Sequence, residues 1–189
     1  NIDALKNSPQ IEGFKSRGLE VLFFTDTIDD FWLQQVSDFE GKAFKSVTKG
    51  DIDLGDDADE ADSETSEETT KLTERLKELL KDDIADVRVS KRLTDSPVCL
   101  VTADEGVDMH MERVLKMHQS YAGESKPVLE INDSHALIQK LSGLNDNDAF
   151  EDAAQLLLDQ AKIIQGQPLK DPANFSKRMS RFMLSGLGD

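Results

Sequence analysis

The sequence predicts a mixed α/β (α+β) protein in three parts: a small α-β-α segment over residues 1–50, an acidic linker over 51–70, and a mixed α/β domain over 71–189. Three observations support this division. Short apolar stretches of strand length alternate with segments of helical periodicity on both sides of the linker. Residues 51–68 carry ten acidic residues and no basic residue. The chain ends in two long amphipathic segments, which predict a helical hairpin.

The first 50 residues combine helix signals with two apolar runs. Ser8 before a proline is typical of the start of a helix, and Gly18 of its end. The run 19–24, LEVLFF, predicts a buried strand of the parallel kind. A helix over 26–37 and a second strand near 43–48 would then complete a right-handed βαβ crossover.

The acidic stretch has almost no large apolar residue after Leu54. It cannot bury enough surface to offset the entropy lost on ordering, so we expect a solvated linker. A calcium-binding loop is the alternative, but the stretch lacks the glycine at position 6 and the glutamate at position 12 of an EF-hand.

Periodicity also predicts the order of elements in the second domain. A helix with a leucine stripe comes first, and three strands follow, the last two separated by a methionine-rich helical segment. The predicted elements are the helix 70–84, strands 86–93 and 96–103, the methionine-rich segment 106–119, strand 127–131, and a helix capped by Asp133 or Ser134.

The two final helices, capped by Asp148 and Asp171, carry apolar residues on more than one face. Each large side chain left exposed would forgo about 1.5–3 kcal/mol of burial. A second copy of the chain could cover them in an intermolecular four-helix bundle across a two-fold axis. Folding back on the chain's own sheet, as a monomer, is the alternative. The predicted dimer contacts are Phe150, Ala154, Leu157, Leu158, Ala161, Phe175, Met179, Phe182 and Met183.

The methionine-rich segment has an apolar stripe with two interpretations. Wound as a helix, it places Val107, Met111, Val114 and Leu115 on one face, while Met109 falls among charged residues. Periodicity alone favours a helix packed into the core. An exposed stripe rimmed by charge would instead mark a binding site.

Composition excludes several classes of protein. The net charge of −16 would repel phosphates, so we expect no nucleic-acid partner. The chain has no apolar run of membrane-spanning length and no signal-peptide pattern, and its single cysteine, Cys99, fits a reducing, cytoplasmic setting as an inert buried thiol. The three histidines do not cluster and no catalytic motif occurs, so we expect no catalytic residue and no metal. A start without methionine, in helix-like sequence, indicates a piece of a longer protein.

Three separated motifs occur in a characteristic order. They are GLEVLFFTDTIDDFWLQQVSDFEGKAFKSVTK (18–49), VRVSKRLTDSPVCLV (87–101) and LLLDQAKIIQGQPLKDPANFSKRM (156–179). Together they resemble the ninety-kilodalton heat-shock chaperones, and the spacing favours the bacterial form of that family. The matching positions of the first motif are Asp26, Ile28, Asp29, Phe39, Gly41 and Lys42; those of the second are Arg92 through Pro97.

The resemblance implies that residues 1–50 end a middle domain and that 71–189 form a C-terminal dimerisation domain. It implies an ATP-dependent, homodimeric, cytoplasmic chaperone that binds unfolded or partly folded client proteins. ATP and magnesium would bind a domain outside this segment, so we expect no cofactor and no enzyme activity in the segment itself. The family often has Asn-Pro-x-His where this chain reads Asn132 to His135, so no role is assigned to His135.

The same resemblance changes the interpretation of the methionine-rich helix. In these chaperones the helix after the second strand exposes apolar residues to clients, which favours client contact by Val107, Met109, Met111, Val114 and Leu115. Phe31 and Trp32 are secondary candidates, with core packing as their alternative. A dimeric adaptor for one dedicated partner and a flavodoxin-like enzyme built on residues 1–50 are the competing functions.

Overall fold

A computed structural model describes residues 2–26, 28–50, 54, 66–103 and 126–187, and it confirms the mixed helix-and-sheet class. The helices are α1 (Ile2–Lys6), α2 (Glu12–Ser16), α3 (Asp29–Gln35), α4 (Glu67–Leu80), α5 (Ala136–Ser142), α6 (Asn147–Ile164) and α7 (Pro172–Leu187), with a 3₁₀ turn at Pro9–Ile11. The strands are β1 (Asp38–Phe39), β2 (Lys42–Ala43), β3 (Asp86–Val89), β4 (Val98–Val101) and β5 (Val128–Ile131).

The predicted strand over 19–24 is absent, and with it the βαβ crossover. This stretch is irregular, and Leu22 is 66% exposed. A buried parallel strand needs hydrogen-bonded neighbours, and the described residues supply none to it. The second predicted strand, near 43–48, is also wrong. Instead β2 pairs with β1 in a short antiparallel hairpin.

A tight two-residue turn joins β1 and β2, which are only two residues long each. Its turn residues, Glu40 and Gly41, have φ of 51° and 77°. Two successive positive φ values are the signature of the tight turn that matches strand twist. The pairing stops after two residues on each side, so β1 and β2 form only a minimal two-stranded sheet.

The three strands predicted for the second domain are confirmed, and they form one sheet in the order β3-β5-β4. β5 lies in the middle, parallel to β3 and antiparallel to β4. All four residues of β4 and of β5 are buried. Helices α4 and α6 therefore pack on a sheet in which β4 and β5 contribute to the core along their whole length.

Helix α4 begins earlier than the sequence predicts. Ser66 is its N-cap and accepts the Thr69 amide hydrogen at 3.1 Å, so residues 67–70 belong to the helix and not to the linker. The predicted leucine stripe is confirmed by the burial of Leu72, Leu76 and Leu80. Apart from the buried Leu54, the linker residues 51–65 lie outside the described part of the chain.

Helix caps in the C-terminal half differ from prediction in two places. Asp146, not Asp148, caps α6, since its carboxylate accepts the amide hydrogens of Asp148 and Ala149. His135 caps α5 through Nδ1, 3.1 Å from the Leu137 nitrogen, where Asp133 or Ser134 was expected. Each pair of candidates lies one or two residues apart, and short polar side chains compete for the same cap position.

Candidate protein-binding surfaces

Helix α7 runs for 16 residues without burying one of them. The helix nevertheless carries several large apolar side chains, which would normally be buried. Two ion pairs hold it against α6: Arg178 Nε lies 3.0 Å from an Asp152 carboxylate oxygen, and Arg181 donates to the other oxygen. The apolar residues of α7 that remain exposed are Met179, Phe182, Met183, Leu184 and Leu187, the last two by 72% and 78%.

The α6 residues predicted to contact a second chain occupy a different place. Phe150, Ala154, Leu157, Leu158 and Ala161 belong to the main hydrophobic core, each at most 4% exposed. Their assignment to a dimer interface is therefore corrected: they pack against the chain's own α4 and sheet and have no surface left for a partner.

The predicted contacts on α7 remain available. Met179, Phe182 and Met183 are exposed and Phe175 is partly exposed. Sequence reasoning left Leu184 and Leu187 out of the predicted interface, although both are more exposed than Met183. The signal was the width of the apolar stripe, since Phe182, Met183 and Leu184 are consecutive and cannot all face α6.

A second apolar surface lies in the N-terminal segment. Phe24, Trp32 and Phe44 form a cluster of three rings with centroids 5.9 to 6.2 Å apart, within the range of favourable aromatic contacts. Trp32 is still 44% exposed, and the neighbouring Phe31, which is not one of these three rings, is 55% exposed. Phe31 and Trp32 are thus not buried within the described residues, and their role in client contact stays a prediction.

Val107, Met109, Met111, Val114 and Leu115 lie outside the described residues. Their role in client contact stays a prediction.

A buried ionic cluster lies between the N-terminal segment and the sheet. The Glu130 carboxylate, 3% exposed, accepts Arg92 Nε at 2.8 Å and Arg88 Nη2 at 3.0 Å. Ser90 donates its hydroxyl hydrogen to the same carboxylate at 2.8 Å. Sequence reasoning used Arg92 only as part of a motif and missed the cluster. The available signal was Glu130 itself, an acid inside a short apolar strand.

Cys99 borders this cluster, with Sγ 3.8 Å from a Glu130 oxygen. Burial first, and then the negative charge of Glu130, raises the pKa of the thiol well above its ordinary value. A thiol that resists ionisation is a poor nucleophile, in keeping with the inert role expected from its apolar neighbours.

The described residues offer little for catalysis. Within them, no group of three or more histidine, cysteine or acidic side chains could hold a metal ion, and no helix there is long and apolar enough to cross a membrane. Two cavities among the described residues measure about 10 and about 200 Å³, below the roughly 300–1,000 Å³ of typical ligand sites.

Comparison with known proteins gives one consistent result. The family model described as Hsp90 protein matches residues 1–189. The chain is 42% identical over 186 residues to "Chaperone protein HtpG" of Rhizobium etli, covering 96% of this chain and 30% of the relative. It is 46% identical over 190 residues to the HtpG of Nitrobacter hamburgensis, covering 97% and 30%, and 45% identical over 198 residues to that of Paramagnetospirillum magneticum, covering 99% and 32%. The chain thus spans about a third of the length of these curated relatives.

Proposed function

This chain belongs to the Hsp90 family, and from that premise we propose that it is the C-terminal part of an ATP-dependent molecular chaperone. In this role residues 1–50 end a middle domain and residues 71–189 form the dimerisation domain. The segment itself contributes two protein contacts, one with a second copy and one with clients. ATP and magnesium act elsewhere in the parent protein.

The single observation that carries the dimerisation proposal is the unburied apolar face of α7. Five large apolar side chains of one helix are 40–78% exposed, although each would gain about 1.5–3 kcal/mol on full burial. A contiguous patch of this kind marks an interaction site. In a symmetric pair the two α7 helices would lie against each other, and the hairpins α6–α7 would complete a four-helix bundle.

Client contact is proposed for the aromatic surface and for the methionine-rich helix. Phe31 supports it best among the described residues, because it adjoins a ring cluster yet makes none of the ring contacts itself. Exposed aromatic side chains gain much binding energy from unfolded segments that expose their own apolar groups. The methionines of 106–119 would add adaptable contacts, since their thioethers fit many surfaces.

Suppression of aggregation tests the client proposal. The chain and its Phe31→Ser variant are mixed with two unrelated unfolded proteins, and turbidity is followed. We expect the wild type to suppress aggregation of both, and the variant to need about fivefold more protein, because loss of about 1 kcal/mol of contact has that effect.

Leu137→Ser is the matched control, since Leu137 is 44% exposed but lies on α5. It should behave like the wild type. Equal suppression by the Phe31 variant would remove Phe31 from the client surface. Binding of only one of the two unfolded proteins would favour the alternative, a dimeric adaptor for a dedicated partner.

A further inference from the structure

The N-terminal segment contacts the loop between β3 and β4, residues 90–97, from two sides. On one side the Arg92 side chain is completely buried, with 0% of it exposed. It pairs with Glu130 through Nε and Nη2, at 2.8 and 3.2 Å. The same guanidinium donates to backbone carbonyl oxygens of residues 47, 49 and 50, the last two at 2.8 and 2.9 Å.

Arginine is suited to this position by geometry rather than by charge alone. A guanidinium has five donors in a fixed plane, and here one carboxylate and three carbonyls use them. A lysine would offer three donors at one point and could not span these acceptors. A buried ion pair is a weak source of stability, so the arrangement is better explained by what Arg92 connects.

On the other side Glu12, at the start of α2, holds the rest of the loop. One of its carboxylate oxygens accepts the amide hydrogens of Thr94, Asp95 and Ser96 at 2.9, 3.0 and 3.1 Å. The other accepts the Ser96 hydroxyl hydrogen at 2.5 Å. Successive amides that converge on one anion form a backbone nest. Burial raises the pKa of Glu12, but the hydrogen bonds from Ser96, Thr94 and Asp95 together lower it.

Close packing and edge pairing complete the junction. A Cβ on Gly13 would lie 2.8 Å from the Arg92 carbonyl oxygen, so the two backbones touch only because residue 13 is glycine. β4 is an edge strand of its sheet. Its outer side is covered by the Gln10 amide, 2.7 Å from the Leu100 oxygen, and the Thr102 amide donates to the Thr48 oxygen at 2.9 Å just beyond the strand.

We infer that Arg92 and Glu12 are positioning residues that lock residues 8–13 and 46–50 onto the C-terminal sheet. The N-terminal segment and the sheet then move together as one rigid body. Glu130 holds Arg92 in place. Within the proposed chaperone, this rigid junction would couple motions of the middle domain to the dimerisation domain. The contacts of this junction lie within one chain and need neither dimer formation nor client binding.

Hydrogen exchange on the whole 189-residue chain tests both sides of the lock. In Glu12→Ala we expect the amides of Thr94, Asp95 and Ser96 to exchange at least about tenfold faster, since they lose their acceptor. In Arg92→Lys we expect the same for the Thr102 amide, because the 46–50 segment is released. The amides of β5 should keep their protection in both variants.

Controls and a measurement on the wild type make the test decisive. Glu20→Ala and Arg17→Lys change exposed residues of the same segment and should leave all of these rates unchanged. The inference would be overturned by unchanged exchange of the Thr94–Ser96 amides in Glu12→Ala and of the Thr102 amide in Arg92→Lys. Equal acceleration in β5 would also overturn it, because it would show a general loss of stability. Trp32 is the single tryptophan. If its fluorescence anisotropy decay in the wild type shows that residues 2–50 tumble as a unit independently of the C-terminal sheet, beyond local motion of the indole ring, the lock does not exist.

Discussion

Glu130 brings a negative charge into the middle strand of the sheet, where only 3% of its side chain meets solvent. The charge is tolerable because Arg92, Arg88 and Ser90 all donate to it. Removing one member of a buried pair is costly, because the partner is left as an uncompensated charge.

Glu130→Gln should therefore lower the free energy of unfolding by about 3–5 kcal/mol, measured by urea denaturation. Glu78→Gln is the matched control. Glu78 pairs with Lys81 at 2.6 Å, but its side chain is 77% exposed, and surface ion pairs contribute little to stability. Similar losses in the two variants would show that the cluster at Glu130 is not a buried charge centre.

Single residues were also where sequence reasoning was least complete. The motif around Arg92 was recognised, yet periodicity could not say that its guanidinium is fully buried, since the acceptors come from residues 47–50, far away in sequence. Capping errors have a similar origin. Asp146 and Asp148 are equally good caps by residue type, and only the local backbone decides between them.

At the level of elements, α6 and α7 share the same apolar sequence pattern, but only α6 is buried. Both helices carry wide apolar stripes, but α6 packs against both α4 and the sheet in the core, while α7 buries none of its residues. The stripe predicted both helices correctly. It could not tell which helix the chain's own sheet would cover, so the interface was placed on both.

The same substitution on each helix should have different consequences. Leu158→Ala, at 0% exposure, should lower the free energy of unfolding by about 2–5 kcal/mol through lost contacts and a cavity. Leu184→Ala, at 72% exposure, should leave the folded chain intact and weaken only its association. Unfolding measured at two protein concentrations separates these effects. Equal losses of stability would place Leu184 in the core and contradict the exposed face of α7.

Strand prediction succeeded where the chain contains its own partners. β3, β4 and β5 were found because each has a neighbour within the sheet. The run 19–24 has equal apolar character but forms no strand, since a strand is defined by pairing and the described residues give it none. Local pattern therefore predicts which segments can pair, and the tertiary structure decides which of them do.

For the molecule as a whole, one property links the two proposed contacts. The core of α4, α6 and the sheet is closed within one chain, while the exposed apolar side chains concentrate on α7 and in the N-terminal segment. Contiguous exposed apolar side chains of this kind mark interaction surfaces. We infer that both surfaces are kept for other chains, and that the junction at Arg92 and Glu12 sets the geometry between them.

Molar mass from light scattering, across a concentration series into the high micromolar range, tests this most directly. We predict twice the 21.0 kDa of one chain for the wild type, and a return to one chain when Leu184→Asp and Leu187→Asp place charges on the α7 face. Lys177→Asp, on an exposed polar position of the same helix, should stay a dimer. A wild type that holds the mass of one chain at every concentration would contradict the proposed pairing of α7.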